Sequence, residues 1–241
     1  MPKTRANSVL LRLRSELERA GTPERARGAQ AYMKTQMPFH GVATDEMRAI
    51  AKRVFAEIEL RDAATWRALV LGIWRGSKFR EEWYCAVELA ADRRAKTFHT
   101  LDALPMFEEL IVTGAWWDIV DHVAGHRLGM LLEREPRAMR KLMLAWSRDD
   151  DMWKRRSSII CQLRFKQRTD LELLYACIEP SLDSKEFFLR KAIGWALREY
   201  AWSDPREVVR YVRANKTRLS GLSKREALKN VLRDGLIASI P

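Results

Sequence analysis

With three cysteines and four histidines among 241 residues, this chain has little material for several kinds of chemistry. Cys85, Cys161 and Cys177 are odd in number and show no C-x-x-C spacing. That excludes a disulfide framework or a zinc ribbon, and each sits among apolar residues as a small core filler. There is no glycine-rich phosphate loop and no G-x-S-x-G elbow, so nothing supports nucleotide hydrolysis or serine-hydrolase chemistry. No apolar run is long enough to span a membrane. The stretch Met1-Pro2-Lys3-Thr4-Arg5 lacks a signal-peptide core, and Val9-Leu10-Leu11 is broken at once by Arg12. A cytoplasmic protein is the expectation. Alternating strand patterns and low-complexity linkers are also missing.

What the chain does have is positive charge: 44 Lys and Arg against 32 Asp and Glu, a net +12. A sequence pI near 9.9 makes a polyanion the leading partner, ahead of a charge spread merely for solubility. Apolar residues are 47% and charged residues 32%, the balance of a folded chain.

The apolar residues recur at helical spacing throughout. Leu10, Leu13 and Leu17 form a stripe that stops at Gly21-Thr22-Pro23, where Thr22 caps and Pro23 opens the next helix. Met47, Ile50, Ala51 and Val54 form another stripe, and Trp66, Leu69, Val70, Ile73 and Trp74 a third. Further helices are expected over about 79–94, 102–112, 115–133, 136–147, 151–165, 169–180, 184–201, 205–214 and 223–237. Ser203-Asp204-Pro205 reads as a helix start, and Ser223 to Glu226 as a capping box. The fold class is all-α, in one domain over 1–241.

A weak repeat runs through these helices. Trp83, Asp118 (with Trp117 one step off), Trp153 and Phe188 lie at intervals of about 35, the signature of a helical solenoid with two helices per repeat. Three positions after each lie Ala86, Asp121, Arg156 and Lys191. Stacked repeats would put these four on one curved groove. Charged residues at such positions serve binding rather than packing.

Among them stands the densest stretch, Trp116-Trp117-Asp118-Ile119-Val120-Asp121-His122. Trp117 and Asp121 are four apart and share a helix face. An aromatic platform beside a carboxylate suits a ligand that is flat, cationic, or cationic during reaction. Asp118 is the competing carboxylate, about 60° around the helix. Trp116 is expected to pack inward, and Trp66, Trp74, Trp83 and Trp153 fall on apolar stripes. Trp195 lies beside Gly194, whose cost of about 1 kcal/mol in mid-helix implies a close backbone approach. Arg156 is the residue placed on a phosphate, whose two oxygens match its fork. His122 and His126 could face a metal with Asp118, but the H-E-x-x-H glutamate and any cysteine partner are missing. They are read as hydrogen-bonding within the bundle, and no metal or cofactor is expected.

Seven segments in chain order carry a resemblance. They are Tyr32-Met33-Lys34 followed by Pro38-Phe39-His40-Gly41, Glu108 to Thr113, Trp116 to Asp121, Gln162 to Gln167, Ser184 to Phe188, Lys191 to Tyr200, and Leu222 to Ala227. With these segments the sequence resembles the AlkD-like branch of alkylpurine DNA glycosylases, built of HEAT-like repeats. The resemblance implies a C-shaped solenoid with a basic concave groove. It also implies removal of N3- and N7-alkylated purines from duplex DNA without base flipping, by a monomer. It assigns the catalytic carboxylate to Asp121 and the two active-site tryptophans to Trp117 and Trp195. Arg156 becomes the DNA-contacting arginine and Tyr32 a tyrosine facing DNA, while Lys191, from its repeat position on the groove, is read as a further DNA contact. Ala43 departs from the pattern where a polar contact is expected. The alternative is a non-catalytic repeat protein that recognises bent or damaged duplex. A protein-interaction solenoid is a third reading, which the positive charge disfavours.

Overall fold

The computed structural model describes residues 2–240, with side chains from Arg5 onward. The described residues form fourteen α-helices and no strand. The chain divides into two compact units, Met1–Met106 and Phe107–Pro241.

The first unit contains α1 (Pro2–Ala20), α2 (Pro23–Met33), α3 (Thr44–Ala56), α4 (Ala63–Gly76) and α5 (Arg80–Ala90). Thr22 caps α2 by accepting the Arg25 amide, with Pro23 in the first turn. Leu13 and Leu17 of α1, Met47 and Ile50 of α3, and Trp66 and Ile73 of α4 are buried together as α1, α3, α4 and α5 pack. Trp74 and Trp83 stack at 4.4 Å. Helix α5 ends earlier than the stripe suggests, because Asp92 accepts the Arg94 amide and tightens the chain into a 3-10 turn.

Helix α6 (Leu104–Gly114) carries the boundary. The second unit then has α7 (Trp117–His122), α8 (Gly129–Arg134), α9 (Pro136–Trp146), α10 (Met152–Ile160), α11 (Leu171–Ile178), α12 (Phe187–Ala201), α13 (Pro205–Ala214) and α14 (Gly221–Arg233). The one long helix expected over 115–133 is interrupted by a π-helical segment, Val123–Leu128. Such segments bond from residue i to i+5 rather than i+4, so each hydrogen-bonded loop encloses one residue more than in an α-helix. A Cβ on Gly129, just beyond it, would lie 2.6 Å from the Cys161 carbonyl oxygen.

Helices α7, α10, α12 and α14 pack in succession. Ion pairs join residues thirty-five apart in this unit: Asp121 with Arg156, Glu133 with Arg168, Asp183 with Arg218, and Lys191 with Glu226. Each pair is separated by the interval read from the sequence. Gly194 meets its close approach here. A Cβ on it would lie 2.4 Å from the Glu226 Cβ and 2.9 Å from the Ser223 carbonyl oxygen.

One cap differs from expectation. Helix α14 starts at Gly221, and Ser220, not Ser223, accepts the capping amide. Ser223 lies inside the helix and donates to the Arg190 carbonyl, while Glu226 turns to the cations of α12. The three cysteines are free and buried. Burial pushes the Cys177 thiol up to about 12, which makes it inert at neutral pH.

Candidate active site

The site begins at a turn. Ala115 takes a left-handed φ of 39°, a conformation costly for a residue with a Cβ. Trp116 follows in extended backbone and starts α7. Its ring packs inward as the sequence suggests, 5.2 Å edge-on from Phe188 and 6.1 Å from Trp153. Trp153 and Phe188 themselves lie 5.0 Å apart. These three rings come from α7, α10 and α12 and lock their spacing. Trp117, one residue on, remains partly exposed on the face that carries Asp121.

Asp121 is paired. Arg156 donates Nε and Nη2 to its two oxygens, both at 2.7 Å. Its remaining nitrogen, Nη1, donates to the Phe188 carbonyl, and its guanidinium lies 5.9 Å over the Phe188 ring. The side chains are 5% exposed for Arg156 and 14% for Asp121, so the pair is largely withdrawn from water. Burial pushes the Asp121 carboxyl above its ordinary value; Arg156 opposes the shift and the charge of Asp118 adds to it. A bidentate guanidinium fork is the geometry expected for a phosphate, and here a carboxylate occupies it.

One repeat further, Lys191 donates to Glu226 at 2.9 Å, and Arg198 reaches the other oxygen at 2.7 Å. Burial works against the Glu226 charge, yet Lys191 and the nearby cations hold its carboxyl below the ordinary range. Trp195 lies between Lys191 and Arg198 on α12, partly exposed, its Nε1 bonded to Glu199 at 3.1 Å. His122 and His126 stack on each other at 4.8 Å, and Arg164 reaches the His126 ring.

Asp121, Trp117, Arg156, Lys191 and Trp195 thus all belong to one unit, on packed helices. Tyr32 belongs to the first unit, 75% exposed near the end of α2. The segment after it is fixed by two adjacent buried glutamates of α5. Glu81 accepts the amides of His40, Gly41 and Val42 at 2.8 to 3.2 Å. Glu82 takes Arg14 at 2.6 Å, the His40 ring at 3.2 Å and the Lys78 amide at 2.7 Å. Despite its burial, these bonds hold the Glu82 carboxyl at about 2. Ala43 is exposed and gives α3 no side-chain cap.

Sequence reasoning missed Glu81 and Glu82, and it read Glu226 as part of a helix cap rather than as the partner of Lys191 and Arg198. Glu82 left one sign, a carboxylate three residues into a helix, where it can reach back to backbone amides.

Residues 13–231 match the family described as DNA alkylation repair enzyme. The chain belongs to the DNA alkylation repair enzyme family. No curated protein matches it. Among solved structures it is similar to a predicted DNA alkylation repair enzyme from Enterococcus faecalis. There the identity is 27% and the TM-score 0.75, over 87% of this chain and 95% of that one. The fold also resembles that of a Pseudomonas fluorescens alkylpurine DNA glycosylase, AlkC, bound to DNA containing an abasic site analog. That match has 16% identity and a TM-score of 0.51, over 98% of this chain and 66% of the other.

Proposed function

We propose that this protein is a monofunctional DNA glycosylase that hydrolyses the N-glycosidic bond of N3- and N7-alkylated purines in duplex DNA. In this reading the repeats form a C-shaped HEAT-like solenoid with a basic concave groove, working as a monomer without flipping the base into a pocket. The observation that carries it is the largely buried carboxylate of Asp121, on one helix face with a partly exposed Trp117, held by an arginine whose fork suits phosphate.

The chemistry follows from the lesion. Alkylation at N3 or N7 makes the purine cationic, and breaking the bond from C1′ to N9 returns the electron pair to the base, which leaves neutral. The sugar is left with oxocarbenium character. Asp121 stabilises that charge and takes a proton from the water whose oxygen bonds to C1′. Trp117 and Trp195 offer π faces to the same cation. Arg156, Lys191 and Tyr32 hold the DNA backbone, and Arg156 does so by exchanging the Asp121 carboxylate for a phosphate.

One observation favours the alternative of a non-catalytic DNA-binding repeat protein: Asp121 is already neutralised by Arg156. The deciding experiment is incubation with duplex containing N7-methylguanine, scoring free base before alkali and strand scission after it. Base release with scission only after alkali supports the glycosylase. Tight binding with no base release supports the binder.

A further inference from the structure

Helix α12 presents more than the two residues assigned above. Phe188, Lys191, Trp195, Arg198 and Trp202 recur at intervals of three and four, which places them on one stripe. Aromatic and basic side chains alternate along it. The stripe is partly exposed up to Arg198, and Trp202 at the C-cap is 60% exposed. Helix α14 runs beside it in the same direction. Its Glu226 touches Lys191 and Arg198, and its Arg233 lies over the Trp202 ring, 5.5 Å from the centroid. Lys229 is exposed on the same face of α14, three residues after Glu226. The face that carries Trp195 therefore continues two helical turns further, about 10 Å at 1.5 Å per residue.

An indole with one side covered by a guanidinium leaves its other face flat, apolar and open, edged by Arg233, which also pairs with Asp234 at 2.8 Å, and by the exposed Lys229 one turn before it. The ligand that fits is flat on its face and anionic at its edge, which describes a nucleotide. A base inside a continuous duplex has both faces covered by its neighbours. The base that can use this surface is unpaired and unstacked. Trp202 leaves most of its side chain in water, and an apolar protein partner gains nothing from Arg233 over its ring or from Lys229 one turn before Arg233.

We propose that Trp202 and Arg233, with Lys229, form a second nucleic-acid site, in which an unpaired base stacks on Trp202 and its phosphate meets the adjoining cations. The site rests on the reading of this protein as a DNA-binding enzyme, and it is separate from Asp121.

Fluorescence anisotropy with a labelled short single-stranded oligothymidylate tests it on the full chain. Trp202→Ala and Trp202→Leu are both expected to weaken binding about tenfold, the scale of one base–aromatic stack. Trp202→Phe keeps most of the affinity, and Arg233→Ala loses part of it. A fully paired duplex of the same length responds less to the alanine and leucine variants. Trp202→Leu at wild-type affinity overturns the stacking site, as does an equal loss on single strand and duplex. So does a wild-type protein that ignores the single strand. Base release from methylated duplex is scored in parallel. Its absence in the wild type defeats the glycosylase reading alone, while unchanged oligothymidylate binding in the Trp202 variants defeats this site alone.

Discussion

Arg156 holds both oxygens of Asp121 at 2.7 Å and gives its remaining nitrogen to the Phe188 carbonyl. The carboxylate assigned to the sugar cation and the guanidinium assigned to the phosphate therefore neutralise each other when no DNA is bound. A phosphate entering the site competes with Asp121 for the same fork.

Asp121→Asn is expected to lower single-turnover base release from N7-methylguanine duplex by roughly a hundredfold or more, the scale of losing one electrostatic stabiliser. Binding stays level or tightens, because a negative charge leaves the neighbourhood of phosphates. Full activity in Asp121→Asn, with loss in a folded Asp118→Asn, would show the other carboxylate to be the catalytic one.

Arg156→Ala strands a carboxylate that is 14% exposed. Removing one partner of a buried pair costs about 3 kcal/mol or more, to be read from urea unfolding. Adding Asp121→Asn to that variant recovers part of the loss, since the unpaired charge is gone. The salt slope of DNA binding falls by about 1 for a lost phosphate contact. An unchanged slope leaves Arg156 a structural partner only.

Acid should separate activity from folding. In the proposed reaction Asp121 acts ionised, and burial raises its carboxyl, so base release is expected to decline as pH falls through a value above the ordinary aspartate. A raised carboxyl favours the fold below the unfolded value, and that contribution is lost as pH rises, so protonating Asp121 does not unfold the chain. Glu82 has the opposite sign. Held at about 2 against an ordinary 4.5, it contributes about 3 kcal/mol at neutral pH, lost between those values. A pH–rate profile set beside a circular-dichroism acid titration should show activity failing first. Coincident midpoints would contradict this.

Gly194→Ala tests the approach of α12 to α14. Alanine is the better helix former by about 1 kcal/mol, yet its Cβ would lie 2.4 Å from the Glu226 Cβ. Overpacking of this kind costs about 1–3 kcal/mol, so net destabilisation is expected. The displacement also pulls Glu226 from Lys191, visible as a raised affinity for undamaged duplex. A variant more stable than wild type would refute the tight contact.

If leaving-group charge rather than pocket shape selects the lesion, bulky cationic N3 or N7 adducts are released within roughly tenfold of the methyl adduct, about 1.4 kcal/mol in barrier. Neutral hypoxanthine is left in place. Single-turnover excision from matched duplexes decides it, and efficient hypoxanthine release with the bulky adduct excluded would point to a closed pocket.

The helices were legible because their apolar residues repeat with the helical period, and Thr22 and Asp204 mark their starts with side-chain caps. The thirty-five-residue interval was legible from Trp83, Trp153 and Phe188, with Trp117 one step off, and Asp121 and Arg156 are separated by that interval. Their direct bonding was not legible, because spacing gives register but not side-chain reach. Ser223 misled because a serine three residues before a glutamate looks the same whether it caps a helix or lies within one. Glu81 was hidden because its partners are backbone amides some forty residues away, and Glu82 because its charged partner Arg14 and the His40 ring lie far off in the chain.

The π-helical segment after Asp121 gives that helix two independent halves. One extra residue over a regular helix turns everything beyond it by about 100°. The face presented before Val123, which carries the proposed catalytic residues, is thereby set off from the face after Leu128 that packs against Cys161. Deleting one residue within 123–128 would regularise the helix and couple the halves. Because both flanks already pack, the expected product is a folded protein in which Trp117 and Asp121 have rotated away from Arg156. For a lineage, such a segment is a one-residue adjustment of where a catalytic side chain points.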